Sequence, residues 1–376
     1  MSELIEKFDD LLQNNDAAAV VFTRKLKPVE GEGSWIFPPT FARGESDYDE
    51  DGAGGKYQID ELPNDDRKNV CLIDSIGSQA NRMEPVFKKP QYSTLVPQLK
   101  VKFANDDEIN VLDAGHRAAD AAVRFSRTYG PELRKAFEKF NKDRDCKDLL
   151  RLAPTSLLFG VWDSRGTGAK IQRIVRSVIR AYSVTEAKRS ATYRAAYDYT
   201  GNGLIDPKLD TGSGKNNPLS QEGFKYSLAT DAHGGVLVRG DILQEAIINL
   251  VALRTLSDDL SAKRYLFGLA LVALSYRDQE CFNLREGCLL CATSEADFNG
   301  TWKVVNFNAS EDTQRFKGFT HEDALTFATK SIKDVKIEQP SPDAFDTETA
   351  EKWLGLDKKK RKVLGKAKHP ADAVRG

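Results

Sequence analysis

An α+β fold built on a small, mostly antiparallel sheet is the class this sequence predicts, and three observations carry it. Strand-like runs are few. They are separated by helical stretches and by long glycine-rich insertions. No unit recurs at the spacing of about 20–50 residues that marks a repeat protein, and strands do not alternate with helices regularly enough for a barrel or a doubly wound sheet. The chain has 376 residues, room for one large domain or two modest ones.

The elements follow in chain order. Residues 2–14 predict a helix, because Leu4, Ile5, Phe8, Leu11 and Leu12 fall near a 3.6-residue period. Ala17 to Leu26, rich in Val and Phe, reads as the first strand. Residues 28–64 are an irregular excursion punctuated by Gly and Pro, with one short strand expected at Trp35–Phe37. The run Val70–Asp74 reads as a strand, and Ser75 or Ser78 caps the helix after it, with Pro85 forcing a kink or stop. Residues 95–112 alternate as strands, and His116–Ser126 and 131–150 predict helices. Ser156–Trp162 reads as a strand, Asp163–Gly168 as a flexible turn, and 170–181 as either strand or helix. A glycine- and proline-rich loop follows at 200–218, expected to be disordered or ordered by a ligand. Then come a short strand at Gly235–Val238, helices at 241–256 and about 259–275, and a strand at Leu284–Cys291.

Composition narrows the function. Hydrophobic residues make up 40% and charged residues 30%, which suits a folded chain and excludes disordered and fibrous classes. Lys plus Arg number 55 against 56 Asp plus Glu, so any pull on a polyanion must come from a local patch. The five cysteines are too few and too irregular for a disulfide scaffold, which points to a reducing compartment. The acidic start lacks a signal-peptide core, and the apolar run Tyr265–Tyr276 is shorter than the about 20 residues of a membrane span. The expectation is a cytoplasmic protein without a membrane partner.

Charge is segregated along the chain. Residues 44–66 carry nine acidic groups and one lysine. Residues 111–180 carry fifteen Lys/Arg against eight Asp/Glu, and residues 357–376 carry eight against two. The middle block is either an anion-binding face or a solvated, salt-bridged surface. The string Lys358–Val363 looks like a nuclear localisation signal, equally like a flexible basic end that loosely touches a polyanion, or like a frayed tail without a specific role.

Several motifs compete for chemistry. Asp163-Ser-Arg-Gly-Thr-Gly-Ala-Lys170 matches no nucleotide-binding loop, but its glycines flanked by Arg165, Lys170, Arg173 and Arg176 can seat a phosphodiester, or form a plain turn. Lys170, Arg173, Arg176 and Arg180 would share one face only in a helix. Ser78, Gln79, Asn81 and Arg82 offer amide and guanidinium donors to phosphate, sugar or bases, or simply cover a helix surface. His116, Asp120 and Arg124 fall one helical turn apart, a binding or acid–base arrangement or a chance one. Cys281, Cys288 and Cys291 are core residues, a redox pair, or a zinc site short of its fourth ligand. Aromatics such as Trp162 lie near basic groups, where they can stack bases or build the core. The usual hydrolase, kinase and metalloprotease signatures are missing, so no cofactor, metal or enzyme activity is expected.

At Leu72-Ile-Asp-Ser-Ile-Gly-Ser-Gln-Ala-Asn-Arg-Met-Glu84 the sequence resembles a known family. With Phe37–Ala42, Asp113–Asp120 and Leu158–Asp163, it is similar to the backbone subunit of type I CRISPR surveillance (Cascade) complexes, subtype I-G, formerly I-U, of the RAMP superfamily. The likeness covers roughly residues 17–300. It implies a ferredoxin-like or RRM-like palm with large finger and thumb insertions, about 28–64 and 200–218, after an N-terminal helix at 1–16. A C-terminal elaboration at 301–356 and a flexible basic tail at 357–376 would follow.

The resemblance also implies a non-enzymatic subunit. Copies would line up in a helical filament along one CRISPR guide RNA, beside other Cascade subunits, and present the guide for pairing with target DNA. The RNA-binding residues carried over or inferred are Arg43, Ser78, Gln79, Asn81, Arg82, His116, Arg117, Arg124, Trp162, Arg165, Lys170, Arg173 and Arg176. Two rivals stay open. One is a RAMP-type endoribonuclease using His116 or an acidic residue such as Asp47, Asp49 or Asp74, none of which matches the related catalytic position. The other is a scaffold that binds only protein.

Overall fold

The strand Ala17–Pro28 lies at the centre of the main sheet, because its alternate residues Val20, Phe22 and Leu26 are apolar and buried. The computed structural model describes residues 2–41, 56–105, 107–213, 216–276 and 282–374. Across the sheet the order is Thr301–Asn306, Ala17–Pro28, Ile242–Asn249, Val175–Tyr182, Asn69–Asp74 and Ile59–Glu61, with every neighbouring pair antiparallel. The short hairpin Asn283–Arg285 and Cys288–Ala292 pairs with the far end of Ala17–Pro28. The architecture is mixed α+β.

Helices cover one face. Leu260–Ser275 is apolar almost all round, so it is buried between the sheet and two further helices, Ser2–Gln13 and His321–Ser331. Phe8 locks the three together, with its ring centroid 5.3 Å from those of both Phe267 and Phe327. His321 adds a polar tie: one ring nitrogen lies 2.8 Å from the Tyr92 hydroxyl and the other 2.8 Å from that of Ser275. The Ser275 hydroxyl itself donates to the Leu271 carbonyl, which makes this a structural link rather than an activated nucleophile.

Three expectations about the elements are corrected. Ile242–Asn249 is a strand, not the start of a helix. Its residues alternate strictly between buried and half-buried, a period of two that its isoleucines favour, and only Leu250–Leu256 is helical. Asn249 makes the switch by accepting a hydrogen bond from the Ala252 amide at 2.9 Å. Ser156–Trp162 is mostly helix: Pro154 opens the helix Pro154–Phe159 and Gly160, at φ 78°, ends it, leaving Val161–Trp162 as a short strand. The chain division expected at residue 300 cuts the sheet, because Thr301–Asn306 pairs along Ala17–Pro28.

Residues 200–213 and 216–218 lie beyond the end of a long hairpin. Val184–Tyr193 and Ser227–Val238 pair as an arm, and Trp35–Ile36 joins its base. The arm's distal region contains the one-turn segments Pro207–Leu209 and Pro218–Gln221. The basic C-terminus is helical too, as Lys358–Ala367 and Pro370–Val374, where a flexible tail was expected. His369 is only 5% exposed there, and its ring nitrogen lies 2.9 Å from the Arg124 carbonyl. Among the described residues no helix is long and apolar enough to cross a membrane.

Candidate nucleic-acid interface

Two stretches singled out in the sequence meet in space. The helix Ile76–Met83 starts at Ser75, whose hydroxyl accepts from the Ser78 amide at 3.2 Å. It packs across strand Val175–Tyr182, where the Ser177 hydroxyl donates to Gln79 Oε1 at 2.8 Å. Gln79, expected at the RNA surface, is instead turned into the sheet. It is 3% exposed, donates to Asp74 Oδ2 at 2.6 Å and accepts from Gln244 at 3.1 Å. Gln244 in turn accepts from the buried Arg24 at 3.0 Å, so a polar chain runs under the helix across the sheet.

Arg82 is also engaged within the protein. Its guanidinium bridges Asp74 at 3.1 Å and donates to the carbonyls of Asn283 and Leu284. Asp74 is buried under both partners and is not presented as a catalytic carboxylate. What the helix offers to solvent is Asn81, with Ser78 half-exposed beside it.

Arg117 changes role as well. It is 5% exposed, pairs with the buried Glu84 at 2.6 Å, and has its backbone in the left-handed region at φ 52°. Its other nitrogens reach the Gly160 carbonyl at 3.3 Å and Asn81 Oδ1 at 3.4 Å. Burial pushes the Glu84 carboxyl up to about 7, against the opposing pull of Arg117. This buried pair is a strut, and it joins the Asn81 helix to the next part of the surface.

That part is a hollow floored by Gly160 and walled by His116, Trp162, Arg165, Lys170 and Arg173. None of its lining residues is acidic. Val161–Trp162 and Lys170–Ile171 form its small hairpin, with Trp162 opposite Lys170. Trp162 is 61% exposed, and the Lys170 ammonium sits 5.7 Å from its ring. The turn between the strands is ordered rather than flexible. Buried Asp163 accepts from the Thr167 amide at 2.6 Å and the Thr167 hydroxyl at 2.9 Å. A Cβ at Gly160 would come within 2.5 Å of Arg173 Cγ, so glycine lets the Arg173 stem lie across the floor. Burial, and then the charge of Arg117, pull the Arg173 guanidinium below its ordinary value.

The remaining candidates fall elsewhere. Arg176 neighbours Ser177 in a strand, so it projects from the opposite sheet face, together with Arg180. The helix that would have aligned Lys170 with both does not form. His116, Asp120 and Arg124 do not share a helix face. His116 precedes the short 3-10 turn Arg117–Ala119, Asp120 caps the helix Ala121–Arg124, and Arg124 lies between the Phe125 and Trp353 rings. Arg43, Asp47, Asp49 and Cys281 lie outside the described residues. Cys288 is buried, and no cluster of three or more His, Cys, Asp or Glu among the described residues is placed to hold a metal.

Sequence reasoning missed Asp163 as the organiser of the turn, although an Asp followed at short range by Thr and Gly is a turn signature. It also missed Glu84 as the buried partner of Arg117, which has no local signal because the two are brought together only by tertiary packing.

The hollow can therefore take a phosphate backbone through three cations and offer an indole to a base. No curated protein matches the chain. Residues 20–186, which contain this entire hollow, match the family model described as CRISPR-associated protein GSU0053 (Cas_GSU0053), and on that match this is a CRISPR-associated protein with a role in CRISPR defence.

Proposed function

We propose that the protein is a non-enzymatic backbone subunit of a type I CRISPR interference (Cascade) complex, of subtype I-G. It binds guide RNA along its phosphates, lines up with copies of itself in a helical filament beside other Cascade subunits, and presents the guide for pairing with target DNA. The observation that carries this reading is the carboxylate-free hollow of Arg165, Lys170 and Arg173 around an exposed Trp162. Cations seat the backbone irrespective of sequence, which is what a subunit that leaves recognition to base pairing requires.

The sheet order supports an RRM-like palm. Strands Ala17–Pro28, Val175–Tyr182, Ile242–Asn249 and Thr301–Asn306 are arranged fourth–first–third–second, all antiparallel, with Leu260–Ser275 as the helix between the last two. The arm Val184–Tyr193 and Ser227–Val238 leaves the main sheet between the second and third of these strands and would serve as a thumb. Its distal aromatics Tyr197, Tyr199 and Phe224 pack edge to face, and Tyr197 is 49% exposed, a surface suited to a neighbouring copy.

The test is binding of labelled single-stranded RNAs of unrelated sequence to nuclease-treated protein over a range of salt. Arg165→Gln, Lys170→Gln and Arg173→Gln together should weaken all the RNAs alike. They should also flatten the dependence of log K on log salt by about 2, at about 0.7 per lost contact. An unchanged affinity and slope would overturn the reading.

A further inference from the structure

The geometry points to the C-terminal helix Lys358–Ala367 as a second RNA-backbone contact that continues from the hollow. This rests on the guide-binding reading above and extends it to a segment outside the matched region. Its occupant is the same single-stranded RNA.

The helix concentrates charge without balancing it. Lys358, Lys359, Lys360, Lys362 and Lys366 are exposed, and none pairs with an acidic group among the described residues. Three of these lysines sit in the first turn, where the positive end of the helix dipole disfavours cations. Lys358, Lys362 and Lys366 follow at four-residue spacing, so like charges stack along the helix. Only Asp357 opposes them locally, and it is spent capping the Lys360 amide at 2.9 Å. A phosphate chain would relieve this repulsion.

The protein nevertheless holds the helix firmly, and next to the hollow. The Arg134 guanidinium donates to the carbonyls of Gly365 at 2.9 Å and Lys366 at 3.1 Å, tying down the helix end. Gly365 is buried against the backbone of Arg165, so close that a Cβ there would lie 2.8 Å from the Arg165 oxygen. Arg165 also walls the hollow. From Gly365 to Lys358 the helix spans about 10 Å at 1.5 Å per residue, which brings the whole lysine row within reach of a strand leaving the hollow.

The experiment measures salt-dependent binding of labelled single-stranded RNA, and of DNA of the same sequence, to full-length protein. Lys358, Lys359, Lys360 and Lys362 are changed together to Gln, and in a second variant to Arg. The Gln variant is expected to bind RNA about tenfold to a hundredfold more weakly, with a flatter salt slope, while the Arg variant binds like the native chain. Unchanged RNA binding by the Gln variant, with binding impaired in the Arg165/Lys170/Arg173 variant, would overturn this inference and leave the guide-binding reading standing. No change in either variant would overturn both. A loss in the Arg variant equal to that in the Gln variant, or a loss confined to DNA, would also overturn the helix as an RNA contact.

Discussion

The Ser177 hydroxyl donates to Gln79 Oε1 at 2.8 Å, and through that bond the polar string Ser78–Arg82 is divided into an inner and an outer half. Gln79 faces the sheet with Asp74 and Gln244, and Asn81 faces out toward the hollow. Replacing Gln79 with Ala leaves the buried Ser177 hydroxyl without its acceptor, while Asp74 keeps Arg82 and Gln244 keeps Arg24 and Ser177. The expected loss is about 1–3 kcal/mol of stability by denaturant unfolding, the cost of one orphaned buried polar group. The salt slope of RNA binding by the folded variant should stay at the native value.

Trp162 should behave in the opposite way. Its ring is largely exposed, so Trp162→Ala should leave the unfolding midpoint nearly unchanged. RNA affinity should fall by about 1–3 kcal/mol for a lost base stack, without any change in the salt slope. Fluorescence quenching of the native indole on adding RNA reports the same contact.

The Glu84–Arg117 pair predicts a pH dependence. With its folded value raised to about 7, Glu84 binds a proton more readily in the folded than in the unfolded chain. Its contribution to stability is therefore full below the ordinary carboxylate range and is lost as pH rises toward about 7. Arg117→Met removes the opposing cation and raises the carboxyl further. Urea unfolding across that range should show the variant falling behind the native protein increasingly as pH rises, by about 3 kcal/mol once Glu84 is ionised.

Gly365 has no room for a side chain against the Arg165 carbonyl. Gly365→Val should lift the helix Lys358–Ala367 from the body while the main sheet stays folded. Limited proteolysis should then cut between residues 356 and 374, and amide exchange should rise there and in the Asp163–Gly168 turn but not in Ala17–Pro28.

The arm tests assembly apart from RNA binding. Replacing residues 194–226 with an Asn-Gly turn joins Val184–Tyr193 to Ser227–Val238 and deletes the Tyr197, Tyr199 and Phe224 cluster. The shortened protein should keep its unfolding midpoint and bind one RNA segment, yet fail to form multi-copy complexes on a long RNA in sedimentation.

Local pattern by itself determined a good part of this molecule. The period-3.6 face of Ser2–Gln13, the apolar Leu260–Ser275 and the β-branched Ala17–Pro28 each declare their element, because the face to be buried is written in neighbouring residues. The cations at 165–173 were likewise legible as a cluster with Trp162 beside them, though not whether that indole is exposed or part of the core. Tertiary structure alone decided which of the polar candidates face solvent. Gln79, Arg82 and Arg117 look as available as Asn81 and Arg173, yet their partners Ser177, Leu284 and Glu84 come from distant parts of the chain. The same holds for the basic C-terminus, which reads as a frayed tail until Arg134 and Arg165 pin it. Hydrophobic periodicity is a short-range signal, whereas the satisfaction of a buried polar group depends on what packing brings to it.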